Sequence, residues 1–346
     1  MDKKFSIIIP CYSTHNYMDV CVNSLLKQTI GFDSLEIIFI DDNSNDNGHT
    51  VNKLKEYENK YPDNIILILN DENMGPGGCR NIALEYASGE YIAYLDSDDW
   101  IDDDALENLY LIAQKYSADV VEFGFSNTGE HDGCMSHSKE RSNECKIYEI
   151  KDESARKEFV LPSDSSVVCW DKIYRADMLK NNKISFAEHI SYEEPPFSYT
   201  VRFFANRYVI TSDKYYYYYN RPDSMSDIER YKKNRFNIID GYIRLLNELS
   251  DKKLLVKFRE EAEFIFWCGA FYLPLFNMAA AKDFYTKEEF ISLQKMVKEH
   301  VNNICDNMYF KSMFSGLEII GKVTYCMIDD NVYEEVRKLF SAIAGK

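Results

Sequence analysis

Short runs rich in β-branched and aromatic residues alternate with segments of helix length over residues 5–125. In the last such segment, Leu106, Leu109 and Ala113 keep the spacing of one helix face. This alternation predicts βαβ units, and so an α/β fold whose mixed, mostly parallel sheet is flanked by helices. The apolar runs are residues 5–9, 35–40, 65–69, 91–95 and 120–123, and the helical segments are residues 17–28, 51–60, 78–86 and 104–116.

The rest of the chain follows a different pattern. Residues 126–145 are polar and show no period, whereas helical spacing dominates from residue 228 onward. At 346 residues the chain is long for a single domain. We therefore predict two domains, one over residues 1–226 and an α-helical one over residues 227–346.

Charge is distributed unevenly between these two predicted domains. The net charge is −17, yet residues 227–346 carry 18 basic and 18 acidic residues, so the whole excess lies in residues 1–226. An acidic chain disfavours binding to nucleic acid phosphates. The surplus carboxylates can form a solvated surface or contribute to a cation site, and composition alone leaves both open.

Cysteine content and hydropathy bear on the compartment. The nine cysteines include no pair with CxxC spacing, which is typical of reduced thiols in the cytoplasm. The longest uncharged stretch, residues 264–281, contains Gly269, Pro274 and Asn277 and lacks basic flanks. We expect a buried helix there rather than a membrane span.

Carboxylates follow two of the predicted strands. Asp96, Asp98 and Asp99 lie within four residues after the fourth run, and Asp41 and Asp42 follow the second. Carboxyl ends of parallel strands meet at one edge of a sheet, where ligands bind. Clustered carboxylates repel one another, so they call for protons, solvent or a divalent cation such as Mg²⁺ or Mn²⁺. The alternative is a solvated strand end that caps the next helix.

A glycine-rich turn lies between the third run and the next helical segment. Residues 73–81 read NMGPGGCRN, so backbone N–H groups near Gly78 could meet an anion with help from Arg80. The turn matches neither the Walker pattern nor GxGxxG. Tyr12, after the first run, offers a ring on which a base could stack.

Four motifs in this order resemble the donor half of family 2 glycosyltransferases with the GT-A fold: SIIIPCY at 6–12, FIDDNS at 39–44, GPGGCRN at 75–81 and DSD at 96–98. The resemblance covers roughly residues 4–225, and it implies that residues 1–226 form a catalytic domain with a donor half (1–125) and an acceptor half (126–226). It implies a metal-dependent enzyme that uses a nucleotide-sugar, in which Asp98 binds Mn²⁺ or Mg²⁺ and Asp96 lies beside the ribose and the metal. The implied nucleotide-binding residues are Pro10, Tyr12, Asp42, Gly78, Arg80, Asp96 and Ser97.

The resemblance also implies a general base on the acceptor side. Inverting members carry an acidic pair followed two residues later by an aromatic residue, and EEPPF at 193–197 occupies that place. The register puts Glu194 on the base position, with Glu193 as second choice, although the usual residue there is Asp. The alternative is that both residues merely open a helix.

Further residues resemble parts of bacterial members of this family. Trp170 and Lys172 belong to a W-x-K-x-Y segment before the base, and we expect them to bind the acceptor; a core tryptophan is an equal alternative for Trp170. Residues 215–219 are five tyrosines that should form a strand with alternate rings packed inward. Arg221 and Ser224 resemble a loop near the diphosphate.

Other functions fit the sequence less well. A haloacid dehalogenase would carry its DxD motif after the first strand with Thr or Val at the fifth position, where this chain has Trp100. A sugar nucleotidyltransferase would need a basic glycine-rich loop after strand one. An inactive module that binds sugar-nucleotides or glycans remains the alternative, although both Asp98 and Glu194 are present.

The sequence therefore predicts a bacterial inverting glycosyltransferase that moves a sugar from a nucleotide-sugar, by resemblance UDP-linked, to a glycan or a lipid-linked saccharide. The expected location is the cytoplasm or the inner face of the membrane. Residues 227–346 carry no motif. They could form an acceptor groove, a homo-oligomer contact or a peripheral membrane contact.

Overall fold

A computed structural model describes residues 3–131, 133, 141–142, 144–161, 164–221, 232, 234, 236–315 and 317–345. The chain divides into two compact units, Met1–Ser224 (unit 1) and Met225–Lys346 (unit 2). The predicted division between residues 226 and 227, like the predicted loop residue Ser224, lies outside the described residues.

The first half of unit 1 has the predicted βαβ order. All of its five predicted strands and four predicted helices are present. Strand β2 is buried along its whole length, as expected of a parallel strand covered on both faces. The elements are β1 (Phe5–Cys11), α1 (Met18–Leu26), β2 (Leu35–Asp41), α2 (His49–Lys60), β3 (Ile65–Leu69), α3 (Gly75–Tyr86), β4 (Tyr91–Tyr94), β5 (Trp100–Ile101), α4 (Ala105–Tyr116) and β6 (Val120–Thr128).

The second half of unit 1 completes the sheet and adds the helix that carries the glutamate pair. Helix α7 begins at Glu194 with prolines in its first turn, where a missing N–H costs no helical hydrogen bond. The elements are β7 (Cys145–Glu149), α5 (Glu153–Phe159), β8 (Lys172–Arg175), α6 (Ala176–Asn181), α7 (Glu194–Phe204) and β9 (Arg207–Tyr219). The short elements β5, β7, β8, α5 and α6 were not predicted.

A single mixed sheet of nine strands runs through unit 1 in the order β3-β2-β1-β4-β8-β6-β9-β5, with β7 also paired to β9. Strand β1 pairs in parallel with β2 and with β4. The antiparallel strand β8 joins this parallel part to β6. The carboxyl ends of β1, β2 and β4 therefore open at one edge, as predicted for a ligand site.

The tyrosine run lies in strand β9 and its rings alternate between the two faces, as predicted, but more than half of the rings are buried. Tyr215, Tyr216 and Tyr217 are each 1% exposed. Tyr216 stacks on Trp170 with ring centroids 4.6 Å apart, and Tyr217 stacks on Trp100 at 5.3 Å on the opposite face. Only the expectation that half of the rings pack inward was wrong, because it assumed one solvated face, whereas aromatic residues cover both faces of this strand.

Unit 2 is helical, as predicted. Within the described residues it contains α8 (Asn237–Asp251), α9 (Arg259–Trp267), a π-helical turn (Cys268–Tyr272), α10 (Leu273–Ala280), α11 (Lys287–His300), α12 (Met308–Met313), α13 (Glu318–Val323) and α14 (Asp330–Ala344). Trp267 is fully buried at its centre and donates a hydrogen bond to Thr324 at 2.8 Å. Ile239, Tyr242 and Leu246 form the buried face of α8, as predicted.

One described stretch, Arg259–Ala280, is long and apolar enough to cross a membrane by length and composition. Its mean hydropathy is 1.2 over the most apolar window, of which 67% is buried within the protein. Such burial is typical of a core helix.

The turn before β4 provides a test of the packing that joins β4 to β1. A Cβ on Gly89 would lie 2.4 Å from the backbone nitrogen of Ser6, which cannot move without disturbing β1. We expect Gly89→Ala to lower the free energy of unfolding by about 1–3 kcal/mol or more, measured by urea unfolding. Gly129→Ala is the matched control, since a Cβ there meets nothing within 4 Å. Equal stability of the two variants would contradict this packing.

Candidate active site

A buried arginine joins the two halves of unit 1. Arg80, in the second turn of α3, is 3% exposed. Its Nη2 lies 3.0 Å from Oδ1 of Asp96, and its Nη1 donates to Oε1 of Glu193 at 2.6 Å. The guanidinium also lies 5.2 Å from the ring centre of Phe186. Because an unpaired buried charge is costly, these contacts fix the end of β4 against the start of α7.

The two adjacent glutamates have different surroundings. The side chain of Glu193 is only 4% exposed and faces Arg80, whereas that of Glu194 is 22% exposed. Oε1 of Glu194 lies 4.0 Å from Nη2 of Arg80 and accepts from Sγ of Cys169 at 2.9 Å. Burial, opposed by Arg80, raises the pKa of Glu194 to about 7. Of the two, Glu194 has the exposure and the pKa that suit a proton acceptor near neutral pH.

Asp42 anchors the turn that opens α3. Its Oδ1 accepts from the backbone N–H of Met74 at 2.7 Å, and its Oδ2 accepts from that of Gly75 at 2.9 Å. Gly75 has φ +74°, which a side chain would strain. Gly78 is buried in the same helix, and a Cβ there would lie 2.7 Å from Cβ of Met74. Asp42 is 4% exposed, so the structure assigns its carboxylate to this turn, and base recognition by Asp42 stays a prediction.

The DSDD run sends its side chains in different directions. Ser97 is buried and donates to Oγ1 of Thr14 at 3.0 Å, which ties the end of β4 to the loop after β1. Asp99 is also buried and accepts from the Tyr216 hydroxyl at 2.5 Å. Asp96 and Asp98 keep exposed side-chain fractions of 30% and 17%. These two are therefore the carboxylates available to a ligand.

An arginine at the end of β9 lies on Asp98. Nε of Arg221 is 3.0 Å from Oδ2 of Asp98, and the Asp98 carbonyl faces Nε2 of His131 at 2.9 Å. Burial and the charge of Asp96, opposed by Arg221, raise the pKa of Asp98 to about 6. The pair of carboxylates is thus in surroundings that favour a nearby cation.

Asp96 and Asp98 are suited in number and type to bind Mg²⁺ or Mn²⁺ together with the phosphates of a substrate. Among the described residues no group of three or more His, Cys, Asp or Glu side chains is arranged to hold a metal. Mg²⁺ at phosphate-transferring sites uses one or two carboxylates, and the phosphates and waters complete the shell. Asp96 and Asp98 would supply that protein share.

The loop after β1 presents an exposed ring. Tyr12 is 48% exposed, while Pro10 at the end of β1 is partly buried. Tyr12 is two residues before Thr14, whose Oγ1 accepts a hydrogen bond from Ser97. Pro10 and Tyr12 remain predicted contacts of the nucleotide base.

The predicted acceptor-binding residues lie in the core. Lys172 is 1% exposed. Its Nζ donates hydrogen bonds to Asp171 at 2.5 Å and to the Val168 carbonyl at 2.8 Å. Trp170 is 6% exposed and packs between Tyr216 and Phe125. The acceptor-binding prediction is therefore not supported by the position of either residue, because buried partners already surround both.

The family model described as glycosyl transferase family 2 matches residues 6–181, about half of the chain. This chain belongs to glycosyl transferase family 2. The matched region includes Arg80, Asp96 and Asp98 and ends before Glu193.

Two curated relatives of this family 2 chain are named for polymer glycosylation. A poly(ribitol-phosphate) beta-glucosyltransferase of Bacillus spizizenii is 30% identical over 224 residues, 64% of this chain and 33% of the relative. Poly(ribitol-phosphate) beta-N-acetylglucosaminyltransferase TarS of Staphylococcus aureus is 32% identical over 217 residues, 62% of this chain and 35% of TarS. The chain spans about a third of the length of these relatives.

Solved structures share the fold. The crystal structure of S. aureus TarS 1–349 in complex with UDP-GlcNAc matches with a TM-score of 0.70 at 22% identity, covering 99% of this chain and 92% of that chain. The mannosyltransferase PcManGT from Pyrobaculum calidifontis, with GDP-Man and Mn²⁺, matches with a TM-score of 0.51 at 12% identity, covering 94% and 86%. The predicted GT-A fold with a helical C-terminal region is confirmed.

Three residues of this site, Cys169, Thr14 and Tyr216, were not predicted from the sequence. Cys169 contacts Glu194, Thr14 contacts Ser97, and the Tyr216 hydroxyl binds both Asp99 and the backbone N–H of Asp96. The tyrosine run predicted a strand. Its contact with the DSDD run could not be predicted, because Tyr216 and Asp99 are 117 residues apart in the sequence.

The buried position of Lys172 gives a test that separates a structural role from acceptor binding. Lys172→Met would leave Asp171 and Glu122 without their buried cation, so we expect the free energy of unfolding to fall by about 3–5 kcal/mol. Lys146→Met is the control, because Lys146 is exposed and its ion pair is worth at most about 1 kcal/mol. Urea unfolding measures both. Full stability of Lys172→Met together with a raised KM for the acceptor would instead support acceptor binding.

Proposed function

We propose that this chain transfers a sugar from a nucleotide-sugar to a hydroxyl group of a glycan or a lipid-linked acceptor, with inversion at the anomeric carbon. The observation that carries the proposal is the arrangement around Arg80. This buried cation binds Asp96 directly and lies 4.0 Å from Glu194. The guanidinium of Arg80 thereby lies between Asp96, from the donor half, and Glu194, whose pKa suits proton transfer.

Glu194 is the proposed general base. In this reaction its carboxylate accepts the proton of the acceptor hydroxyl, and the hydroxyl oxygen forms the new bond to the anomeric carbon. The bond from that carbon to the diphosphate oxygen breaks, and the nucleoside diphosphate leaves with the bonding electrons. Glu193 has the complementary role of holding Arg80, since its buried Oε1 is 2.6 Å from Nη1.

The donor would lie at the carboxyl edge of β1, β2 and β4. The exposed ring of Tyr12 can stack on the base, and the exposed fractions of Asp96 and Asp98 can face the ribose and the diphosphate. The uridine preference rests on the sequence resemblance and on TarS, whose solved structure holds UDP-GlcNAc.

Asp98 and Asp96 would hold Mn²⁺ or Mg²⁺ on the diphosphate. A divalent ion there supplies charge stabilisation for the leaving diphosphate. Arg221 already contacts Asp98 and adds a fixed positive charge on the same side. Both metals prefer oxygen ligands, and they commonly bind through one or two carboxylates together with substrate phosphates.

The acceptor would be a polymer or lipid-linked saccharide with a free hydroxyl. The names of the relatives from B. spizizenii and S. aureus support a polymeric acceptor. An inactive binding module would bind the nucleotide-sugar without turnover, and the assay below distinguishes the two.

Release of UDP in a screen of UDP-sugars with Mn²⁺, in the presence of candidate polymer acceptors, tests this function. We expect Glu194→Gln to lower kcat by about 10²–10⁴-fold, since an amide accepts no proton. Glu193→Gln should retain turnover but unfold at a lower temperature, because it weakens the buried pair with Arg80. Asp98→Asn should lose the response to Mn²⁺. Undiminished transfer in Glu194→Gln would move the base elsewhere.

The pH dependence of kcat/KM gives a second test of Glu194. A base works in its ionised form, so with a pKa of about 7 activity should rise as pH increases through 7 and level off above it. Below the pKa the slope should be about tenfold per pH unit. The residual activity of Glu194→Gln should lack this rise. A wild-type profile that is flat from pH 5.5 to 8.5 would contradict the assignment.

A further inference from the structure

A cysteine with no predicted role contacts the proposed base. Sγ of Cys169 lies 2.9 Å from Oε1 of Glu194, and the Cys169 backbone N–H lies 3.3 Å from the same oxygen. Cys169 is fully buried. One residue therefore directs two donors at a single oxygen of the carboxylate.

The thiol of Cys169 stays protonated, as a donor must. Burial raises the pKa of Cys169 well above its ordinary value, and Arg80 opposes this only in part. Across the physiological range the S–H is therefore present, and Glu194, once ionised, is its acceptor.

The loop that carries Cys169 is held rigidly by buried side chains of α7 and β8. Its successive carbonyl groups, from Ser165 to Cys169, each accept a hydrogen bond. The donors are Arg202 to Ser165 and Ser166, Ser198 to Val167, Lys172 to Val168, and the Tyr174 hydroxyl to Cys169. Buried networks with their partners satisfied define one orientation. The loop therefore sets where the Cys169 thiol and amide point.

We propose that Cys169 is a positioning residue for Glu194: its S–H and N–H bind Oε1, which fixes the carboxylate and leaves Oε2 for the acceptor hydroxyl. This inference rests on the proposed function of Glu194. It also assigns a role to the buried Lys172 and Arg202, which support the base through the loop and do not contact the acceptor.

The other charged groups around Glu194 set the direction of the expected effect. Arg80 from α3 favours the ionised carboxylate, while Glu193 just before α7 and Asp96 after β4 disfavour it. A hydrogen bond from the Cys169 thiol favours the ionised form as well. Removing the thiol must therefore raise the pKa of Glu194.

The test measures this pKa directly, without turnover. The carboxyl carbons of ¹³C-labelled glutamate are titrated by NMR, and the Glu194 signal is assigned by its loss in Glu194→Gln. We expect Cys169→Ala to raise the pKa of Glu194 by about half a unit to one unit, and Cys169→Ser, which keeps a donor, to stay near wild type. Cys21→Ala is the control, because Cys21 is equally buried in α1 and its thiol donates no hydrogen bond within the described residues.

Kinetics then test whether positioning matters for transfer. We expect Cys169→Ala to lower kcat about threefold to tenfold at pH 7 and to shift the rise of kcat/KM to higher pH, with the KM for the nucleotide-sugar unchanged. Cys169→Ser should recover most of the loss. Thermal unfolding of each variant separates these effects from instability.

Two results would overturn the inference. One is the same Glu194 pKa in wild type and Cys169→Ala; the other is an equal loss of kcat in Cys169→Ala, Cys169→Ser and Cys21→Ala. Failure of the proposed function gives a different result: transfer unchanged in Glu194→Gln while the NMR difference persists.

Discussion

The candidate site depends on the burial of one positive charge. Arg80 is 3% exposed, and removing a guanidinium from water is tolerated only when anions and ring faces surround it. Asp96 and Glu193 supply the anions, and Phe186 supplies a ring. Because these partners come from the end of β4, the start of α7 and the segment before it, satisfying Arg80 also fixes the geometry between the two halves of unit 1. The backbone position of Glu194 follows from this constraint, since Glu194 adjoins Glu193.

The acidic character of the first 226 residues acquires a partial explanation at this site. Asp96 and Asp98 lie close enough for one to raise the pKa of the other, and two arginines, Arg80 and Arg221, each contact one of them. Both carboxylates nonetheless remain partly exposed. A diphosphate that approaches this edge brings further negative charge, and this is the physical reason for proposing a divalent cation there.

The strands and helices of the first half of unit 1 could be predicted from the sequence. Strands β1 to β4 and helices α1 to α4 were recognised because their period and composition are set within each segment. The burial of Lys172 and Trp170 could not be predicted in this way because it depends on residues distant in sequence: Glu122 lies 3.6 Å from Nζ of Lys172, and Tyr216 stacks on Trp170. A motif specifies residue types and spacing, whereas the burial of a side chain depends on residues that the folded sheet brings into contact with it.

The choice of glutamate at the proposed base has a structural reason in the Cys169 loop. Glu194 is the first residue of α7, where the helix dipole favours a negative charge against the burial that disfavours it. An aspartate would be shorter by one methylene, and its oxygen would retreat from Sγ and N of Cys169, which now lie at 2.9 and 3.3 Å. The longer side chain and the thiol-bearing loop therefore form a matched pair. The glutamate, where the family resemblance implies an aspartate, is therefore accommodated by the loop, which supplies the contacts that the longer side chain requires.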